Sequence, residues 1–344
     1  MILKLMEWIW PGDVLVRSQI RRLNRIRLAE LRQGGLEAQL ARKQELIEAL
    51  RQSPRAVATA EANRQHYEVP DEFYQAVLGR HLKYSSGYWE KGQDLDGSEM
   101  AMLELYVQRA ELSDGQEILD LGCGWGSLSL FLAQRFPNSQ ILGVSNSNSQ
   151  REFITSQARS RGLTNVQILT ADINRLELPA ARFDRVVSVE MLEHVRNYGE
   201  VFALLRTALK PNGKLFVHVF AHREFAYSFD RREDAQGVAG DWMEREFFSG
   251  GMMPSLDLFL HFSDGLTLQK QWAVPGWHYE RTANAWLQRL RQQKTTLLPL
   301  LRQTYGPAWR KAWLGWQLFF LACAELFGEE NGEQWLVHHL LWEK

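Results

Sequence analysis

The chain has 344 residues, a hydrophobic fraction of 45% and a formal net charge of −1, from 40 lysine and arginine residues against 41 aspartate and glutamate residues. At roughly 150 residues per domain this length predicts two domains or one enlarged domain, with enough apolar side chains for a sizeable core. The balanced charge excludes the strongly basic surface of a bulk nucleic-acid binder.

The number of cysteines and the character of the N-terminal residues indicate the cellular compartment. Cys123 and Cys323 are too few for a disulfide framework, so a cytoplasmic protein is predicted. Residues 1–12 are apolar, but they are short and interrupted by Lys4 and Glu7, and they resemble neither a transmembrane span nor a signal peptide. Of the 13 tryptophans, eight follow residue 270, which predicts an aromatic surface or pocket wall in the C-terminal third.

Residues 12–52 show the apolar periodicity of helices, and Gly34-Gly35 divides them into two helices. The first helix is rich in arginine, and a basic amphipathic helix can contact an anionic membrane. The alternative is a helix docked on the core with a solvated charged face, which the mixed charges from Glu37 onward favour. Residues 1–64 are predicted to be an N-terminal helical extension that ends in a polar connector, and residues 65–344 to be one domain.

A segment dense in tyrosine, phenylalanine and histidine covers residues 66–89. Pro70 and Asp71 are well placed to begin a short helix in it. The YSSGYW run at 84–89 is predicted to be a loop, and an amphipathic helix is predicted over 99–112.

From residue 117, apolar runs of strand length alternate with helical segments. Strands are predicted over 117–121, 140–145, 166–170, 183–189 and 213–220. Helices are predicted over 126–135, 149–161 and 197–209, and a turn at 211–213. This alternation predicts a mostly parallel sheet with helices on both faces.

The alternation breaks down after residue 221. Residues 222–332 are predicted to be helical insertions that cover a substrate. They hold a hinge at Gly250-Gly251, a helix that begins near Ser255, a strand over 266–273 and two or three long helices over 282–328. A last strand over 335–342 would close the sheet.

The run ILDLGCGWGSLSL at 118–130 combines a strand, three alternate glycines and a helix start. Gly122, Gly124 and Gly126 lack Cβ atoms where a ligand would approach closest, and a helix start offers free N–H groups. The order of the glycines is neither the dinucleotide fingerprint nor a phosphate loop, and a tight turn without a ligand is the alternative. The run, with Asp120 at the strand end, resembles the first motif of Rossmann-like methyltransferases, which bind S-adenosylmethionine.

Polar residues also follow the next strands, and ligands of a doubly wound sheet bind at the carboxyl ends of its strands. Asn146 and Gln150 could bond to ribose hydroxyls. Asp172 could accept from an adenine amino group, and Ile173 could cover the ring. Each residue alone is as readily a cap or a turn residue, but together they predict a nucleoside-binding crevice.

Glu190, Glu193 and His194 directly follow the fourth strand. If the segment is helical there, the spacing places all three on one face. Two carboxylates and an imidazole suit general-base catalysis, and neighbouring carboxylates raise one pKa toward neutral pH. A salt-bridge cluster or a metal site is the alternative; no other ligand cluster is evident, so no metal is predicted.

Seven segments, in order over residues 66–344, resemble the cyclopropane fatty acid synthase superfamily. Within it they are most similar to the coclaurine N-methyltransferase branch, which methylates benzylisoquinoline amines. The segments are HYEVPDEFY, LKYSSGYW, LDLGCGWGSLSL, the run at 145–150, VEMLEHVRNY, FFSGGMMPS and ACAELF. The resemblance implies a Rossmann-like class I methyltransferase with a mostly parallel seven-stranded sheet, N-terminal helices, a C-terminal helical cover and S-adenosylmethionine as cofactor.

Two positions favour the amine branch. The lipid cyclopropane synthases carry cysteine in the loop and glycine before the E-H pair, in a pocket that holds a bicarbonate base; this chain has Ser86 and Glu190 there. The resemblance implies that Glu190, Glu193 and His194 lie at the substrate nitrogen. It also implies Tyr84 and Ser85 at the methionine end of the cofactor and Tyr279 in the substrate pocket. Trp277 is predicted in that pocket as part of the aromatic residues over 242–253 and 272–286, which suit a flat or apolar substrate and equally suit core packing.

These observations predict an S-adenosylmethionine-dependent N-methyltransferase that acts on a small hydrophobic or aromatic amine. The alternative is a cyclopropane-fatty-acyl-phospholipid synthase or lipid C-methyltransferase, with the arginine-rich helix on a membrane. A cofactor-binding sensor without catalysis is a third possibility, against which the intact Glu-Glu-His set counts. Cys323 matches a cysteine proposed as catalytic in the lipid branch, but methyl transfer from a sulfonium needs no protein nucleophile, so it is predicted to be structural.

Overall fold

The computed structural model describes residues 10–57, 69–229 and 250–344. The predicted domain boundary at residue 64 and parts of the first and sixth motif segments lie outside these ranges. Within them, the predicted class is confirmed as a mostly parallel seven-stranded sheet with helices on both faces.

The sheet has the strand order β3-β2-β1-β4-β5-β9-β8. Its strands are β1 Glu117–Leu121, β2 Gln140–Ser145, β3 Val166–Thr170, β4 Phe183–Val189, β5 Leu209–His222, β8 Thr267–Val274 and β9 Trp335–Glu343. The first five are parallel, and β9 runs antiparallel to both of its neighbours. The order reverses between β1 and β4, so a crevice opens at the carboxyl ends of these two strands.

The bounds of the first four strands agree with the sequence prediction, but β5 begins earlier than residue 213. Its register with β4 shifts from the pair Phe183 and Leu209 to the pair Arg185 and Lys214. Asn212, at φ 62, lies in the bulge between them. The predicted turn residues therefore form an irregularity inside the strand, because the chain resumes pairing on both sides of them.

The helices before the last strand form the two faces and the cover. They are α1 Asp13–Leu31, α2 Gly35–Gln52, α3 Asp71–Val77, α4 Leu95–Arg109, α5 Ser127–Arg135, α6 Asn148–Ser160, α7 Tyr198–Ala208, α8 Trp277–Gln292, α9 Lys294–Tyr305 and α10 Trp309–Phe327. The predicted long helices begin at Trp277 instead of residue 282. The helix predicted near Ser255 is wrong, since a single 3-10 turn, Leu258–His261, follows that residue.

Short strands β6 (Tyr227–Ser228) and β7 (Met252–Met253) pair beside the crevice. Much of the C-terminal tryptophan surplus belongs to the core, because Trp286, Trp335 and Trp342 are almost fully buried. Burial of one large apolar side chain contributes about 1.5–3 kcal/mol to stability, so these rings help to fix the cover on the sheet.

Arginines of α1 face the cover helix α10. Arg17 and Arg21 contact the carboxylate of Glu325 at 2.6 and 3.3 Å, and Arg25 lies 3.6 Å from Glu329. Part of the basic surface predicted for α1 is thus matched by acidic residues of the same chain. None of the helices in the three described ranges is long and apolar enough to cross a membrane.

Candidate active site

Two adjoining cavities open at the carboxyl ends of β1 and β4. They share Gly122, Gly124, Gln150, Glu190 and His194 on their walls. The first, here called the aromatic cavity, is lined also by Tyr84, Ser85, Asp120, Trp125, Phe220, Tyr279, Trp286 and Phe319. The second, the nucleoside cavity, is lined also by Ala56, Val57, Ser145, Asn146, Asp172, Ile173, Met191 and Val195. A ligand that filled both would pass the glycine turn and Glu190.

The nucleoside cavity brings together the polar strand ends that the sequence singled out. Gln150 is almost fully buried, and its Oε1 accepts from Ser145 Oγ at 2.6 Å. Asp172 begins a turn in which its Oδ1 accepts from the Asn174 amide at 2.9 Å. The Gln150 amide group and the Asp172 carboxylate therefore line the same cavity.

The chain segment after α2 forms one wall of the nucleoside cavity, which the sequence did not predict. Arg55 Nη1 donates to the backbone oxygens of Ile173 and Leu176, both at 3.1 Å. The backbone of Ala56 exchanges two hydrogen bonds with the side chain of Asn174. The N-terminal extension is thus part of the candidate site as well as a helical addition to it.

The three glycines of the turn have different roles. A Cβ atom on Gly122 would lie 2.6 Å from the Met191 Cβ, and one on Gly126 would lie 2.7 Å from Ile154. A Cβ on Gly124 would meet no described atom within 4 Å, although its φ is +52°. Gly122 and Gly126 are therefore required by the packing of the protein, and only Gly124 leaves open space for a ligand.

Buried polar groups line the turn. Burial raises the pKa of Asp120 to about 6, opposed by the hydroxyl of Ser129, which donates to Asp120 Oδ2 at 2.6 Å. Trp125 Nε1 and Ser127 Oγ are buried without a hydrogen-bond partner among the described residues. Such groups are costly unless a ligand or water satisfies them, so this wall fits a polar ligand such as the amino-acid end of S-adenosylmethionine.

Glu190 lies at the centre of the aromatic cavity, with φ +45° at the end of β4. Its Oε1 accepts from the Ser86 amide at 2.9 Å and from His218 Nε2 at 3.0 Å, and its Oε2 accepts from Tyr279 Oη at 2.6 Å. Its pKa is raised by burial, which outweighs the charge of Lys83 and the hydrogen bonds from Tyr279 and Ser86 that lower it. Three separate elements thus supply donors to one carboxylate, which is the arrangement expected for an ionised group.

Glu193 does not lie beside Glu190 and His194 on one helical face. The segment is a 3-10 turn, Leu192–His194, which places Glu190 and His194 on the cavity walls and Glu193 behind them. Glu193 Oε1 accepts from the Phe220 amide at 2.8 Å, and its Oε2 has no partner among the described residues. Burial, and then the charge of Glu190, raise the pKa of Glu193 well above its ordinary value, so the protonated form of this carboxyl is favoured beside a charged Glu190.

Burial lowers the pKa of His194 to about 4, so its imidazole is neutral near pH 7. Tyr279 lines the aromatic cavity as predicted. Trp277 does not: its ring stacks on His278 at 3.7 Å and Arg281 lies over it, outside both cavities. Cys323 is a free thiol whose pKa is raised by burial, which disfavours the nucleophilic thiolate.

The loop that carries Tyr84 and Ser85 is attached to helix α8. The buried Thr282 hydroxyl accepts from the Gly87 amide at 3.1 Å and from the Trp89 indole at 2.9 Å. His278 Nδ1 accepts from the Trp89 amide at 2.8 Å. The position of the loop at the aromatic cavity therefore depends on side chains of the cover helix.

Replacement of Thr282 by valine is expected to weaken S-adenosylmethionine binding about tenfold and to lower the melting temperature by several degrees. The change keeps the shape of the side chain but leaves two buried N–H donors unsatisfied, each costing about 1–3 kcal/mol. Calorimetric titration with S-adenosylmethionine and a thermal melt would measure both effects. Thr282→Ser keeps the hydroxyl and is the matched control. A valine variant that binds the cofactor as tightly as the serine variant would show that the loop is not held in this way.

Sequence reasoning missed two residues that complete the site. His218 lies in β5 within the run LFVHVF, where a single polar side chain interrupts an apolar strand near its carboxyl end. Lys83 is buried, donates to Ser85 Oγ and to the Ser86 oxygen, and lies over the Tyr106 ring. The isolated histidine in an apolar strand could have been recognised from the sequence, whereas no neighbouring residue indicated that Lys83 is buried.

Comparison with known proteins gives a consistent result. A family model described as Mycolic acid cyclopropane synthetase matches residues 55–335. The chain is 36% identical to the (S)-coclaurine N-methyltransferase of Thalictrum flavum subsp. glaucum, over 95% of this chain and 92% of that protein. It is 28% identical to the cyclopropane-fatty-acyl-phospholipid synthase of Escherichia coli K12, over 80% of this chain and 66% of that protein.

Among solved structures, a coclaurine N-methyltransferase bound to N-methylheliamine and SAH superposes with a TM-score of 0.94. It is 34% identical to this chain, and the match covers 100% of this chain and 99% of that one. The resemblance inferred from the seven sequence segments is thereby confirmed.

Proposed function

The chain belongs to the mycolic acid cyclopropane synthetase family and is an S-adenosylmethionine-dependent N-methyltransferase, and from this premise we propose that its acceptor is the ring nitrogen of a small aromatic amine of the benzylisoquinoline type. S-adenosylmethionine lies across both cavities, with its nucleoside part at Asn146, Gln150, Asp172 and Ile173. Its methionine end lies at Tyr84, Ser85, Asp120 and the glycine turn. The amine occupies the aromatic cavity.

The Glu190 carboxyl group, which accepts hydrogen bonds on both oxygens in a cavity of aromatic side chains, carries the proposal for the acceptor. The rings of Tyr84, Trp286 and Phe319 line the same cavity as its carboxylate. A cationic, flat amine satisfies both features, because the carboxylate attracts the ammonium group and the ring faces attract cation and arene alike. A neutral lipid chain would offer this carboxylate no charge to attract.

The contact between Ser86 and Glu190 supports the same choice. These are the two positions at which the sequence departs from the lipid-modifying pattern, and the Ser86 amide donates to Glu190 Oε1 at 2.9 Å. The Ser86 side chain instead donates to the Gly87 oxygen at 3.1 Å, so the two departures adjoin at the Glu190 carboxylate without a side-chain contact between them. This carboxylate supplies within the protein the negative charge for which the lipid enzymes use a bound base.

When bound, S-adenosylmethionine supplies an electrophilic sulfonium methyl group. Glu190 takes a proton from the bound ammonium, since a protonated nitrogen has no lone pair with which to attack. His194, neutral beside it, orients the nitrogen, and Glu193 supports the turn through the Phe220 amide. The enclosing rings hold the nitrogen in line with the methyl group and exclude water.

The proposal is tested with purified protein and S-adenosylmethionine labelled in the methyl group. A tetrahydroisoquinoline is expected to take up label at nitrogen. Isochroman, which has the same ring with oxygen in place of nitrogen, is the matched control and is expected to take up none. Label found only in unsaturated phospholipid vesicles offered in parallel would overturn the assignment of an amine acceptor.

A further inference from the structure

A row of three side chains leads from Glu190 across β5 and β9 to helix α4. His218 of β5 contacts Glu190 Oε1 through Nε2, and its Nδ1 lies 2.9 Å from His339 Nε2 of β9. His339 Nδ1 lies 2.7 Å from the Arg109 Nη1 of α4. Both histidines are fully buried, while Arg109 is half-buried over the Trp272 ring.

Arg109 sets the direction of the hydrogen bonds that pass through His339. A guanidinium group only donates, so His339 Nδ1 must accept from it. A neutral imidazole carries one N–H, which in His339 is then on Nε2 and donates to His218 Nδ1. His218 is left with its own N–H on Nε2, which donates to Glu190. The hydroxyl of Tyr106, 2.8 Å from the same His218 Nδ1, competes with His339 for the single lone pair of that atom, and as a donor it also leaves the N–H of His218 on Nε2.

We propose that Arg109 and His339 are positioning residues that fix His218 as an N–H donor to Glu190 and thereby keep Glu190 ionised for the amine. This inference rests on the proposed function, in which Glu190 meets the acceptor nitrogen. With these hydrogen bonds in the opposite direction, His218 would present a lone pair to the carboxylate. Glu190 would then have to bind a proton to keep the contact, and it would lose both its attraction for an ammonium ion and its capacity as a base.

The surroundings keep the two histidines neutral, as this direction requires. The charged and titratable groups that face Glu190, His218 and His339 are Lys83, Tyr106, Arg109, Glu193, His194, Tyr279, Cys323 and His338. Burial, with the positive charges of Lys83 and Arg109, lowers the pKa of both His218 and His339. A doubly protonated imidazole, which would not define a direction, is therefore disfavoured at both positions.

Arg109→Met and Arg109→Lys separate this role from simple packing. The methionine variant removes the obligate donor and is expected to move the acid limb of the pH profile of kcat upward by about one unit, so that kcat below the limb falls about tenfold. The lysine variant, which only donates, is expected to restore most of the activity. Arg182→Met is the matched control, since Arg182 lies 5.0 Å over Phe183, as Arg109 does over Trp272, but far from the site.

Nitrogen-15 NMR of histidine-labelled protein provides a readout that needs no substrate. We expect His218 and His339 of the unmodified enzyme to carry their protons on Nε2, and the Arg109→Met variant to show a mixture of tautomers. An Nδ1–H on His339 in the unmodified enzyme, or unchanged tautomers and pH profile in the methionine variant, would overturn the inference. Failure of every amine to accept a methyl group would instead contradict the proposed function and leave the tautomer result intact.

Discussion

Glu190→Gln is expected to lower kcat by roughly 10²- to 10⁴-fold, the range typical for loss of a general base, while S-adenosylmethionine affinity changes less than about threefold. The amide has nearly the shape of the carboxylate but lacks its charge and basicity. It is also poorly matched to its surroundings, because the Ser86 amide, His218 Nε2 and Tyr279 Oη all donate toward this position. The NH₂ group of glutamine would face other donors. We therefore expect weaker binding of the amine in addition to the loss of the general base.

The measurement is steady-state kinetics with a tetrahydroisoquinoline, together with calorimetric titration of the cofactor. Glu152→Gln, an exposed position on α6, is the matched control. If Glu190→Gln keeps kcat within a few fold of the unmodified enzyme, proton removal by this carboxylate is excluded. If it abolishes cofactor binding instead, Glu190 belongs to the cofactor site rather than to the acceptor site.

Much of the parallel half of the sheet could be predicted from sequence because its signals are local. Apolar runs of five to seven residues between helical segments gave the bounds of β1 to β4. Capping residues such as Ser147 indicate the start of a helix by their own residue type. The prediction near Ser255 was wrong because an apolar run can be a core segment without being a helix. Leu258 and Phe259 are buried by the packing of one 3-10 turn against α7.

The candidate site was predictable where topology brings strand ends together, and not where a contact joins distant segments. Asn146, Gln150 and Asp172 follow strands whose carboxyl ends must meet at one edge. The position of Glu193 behind the cavity depends on a tight turn that helical spacing did not describe. Arg109 and His339 are 230 residues apart in the chain, and no local pattern pairs them.

Trp277 shows that members of one aromatic segment can face different ways. The segment over 272–286 was predicted as a pocket wall, but positions 277 and 279 are two residues apart in a helix, so their side chains point in different directions. Tyr279 faces Glu190, whereas Trp277 faces His278 and Arg281 at the surface of α8. Periodicity would have separated them if the helix start at Trp277 had been recognised.

Gly124→Ala is expected to raise the dissociation constant for S-adenosylmethionine by about 10- to 100-fold, since filling a tight contact costs about 1–3 kcal/mol. No described atom lies within 4 Å of the added Cβ, so the protein itself leaves the space that the methyl group would take from the ligand. An alanine at the positive φ of +52° also lowers folding stability by about 1–2 kcal/mol, whether or not the cofactor is bound.

Two other glycines separate these effects. Gly162→Ala, at φ +68° and also without a neighbour within 4 Å among the described atoms, carries the same backbone cost away from the cavities and should leave cofactor affinity unchanged. Gly122→Ala should lose stability above all, because its Cβ would meet Met191 at 2.6 Å. Calorimetric titration and thermal melts of the three variants would show whether affinity and stability separate. If Gly124→Ala binds the cofactor as Gly162→Ala does, the cofactor does not pass over this turn, and the assignment of both cavities to one methyl donor fails with it.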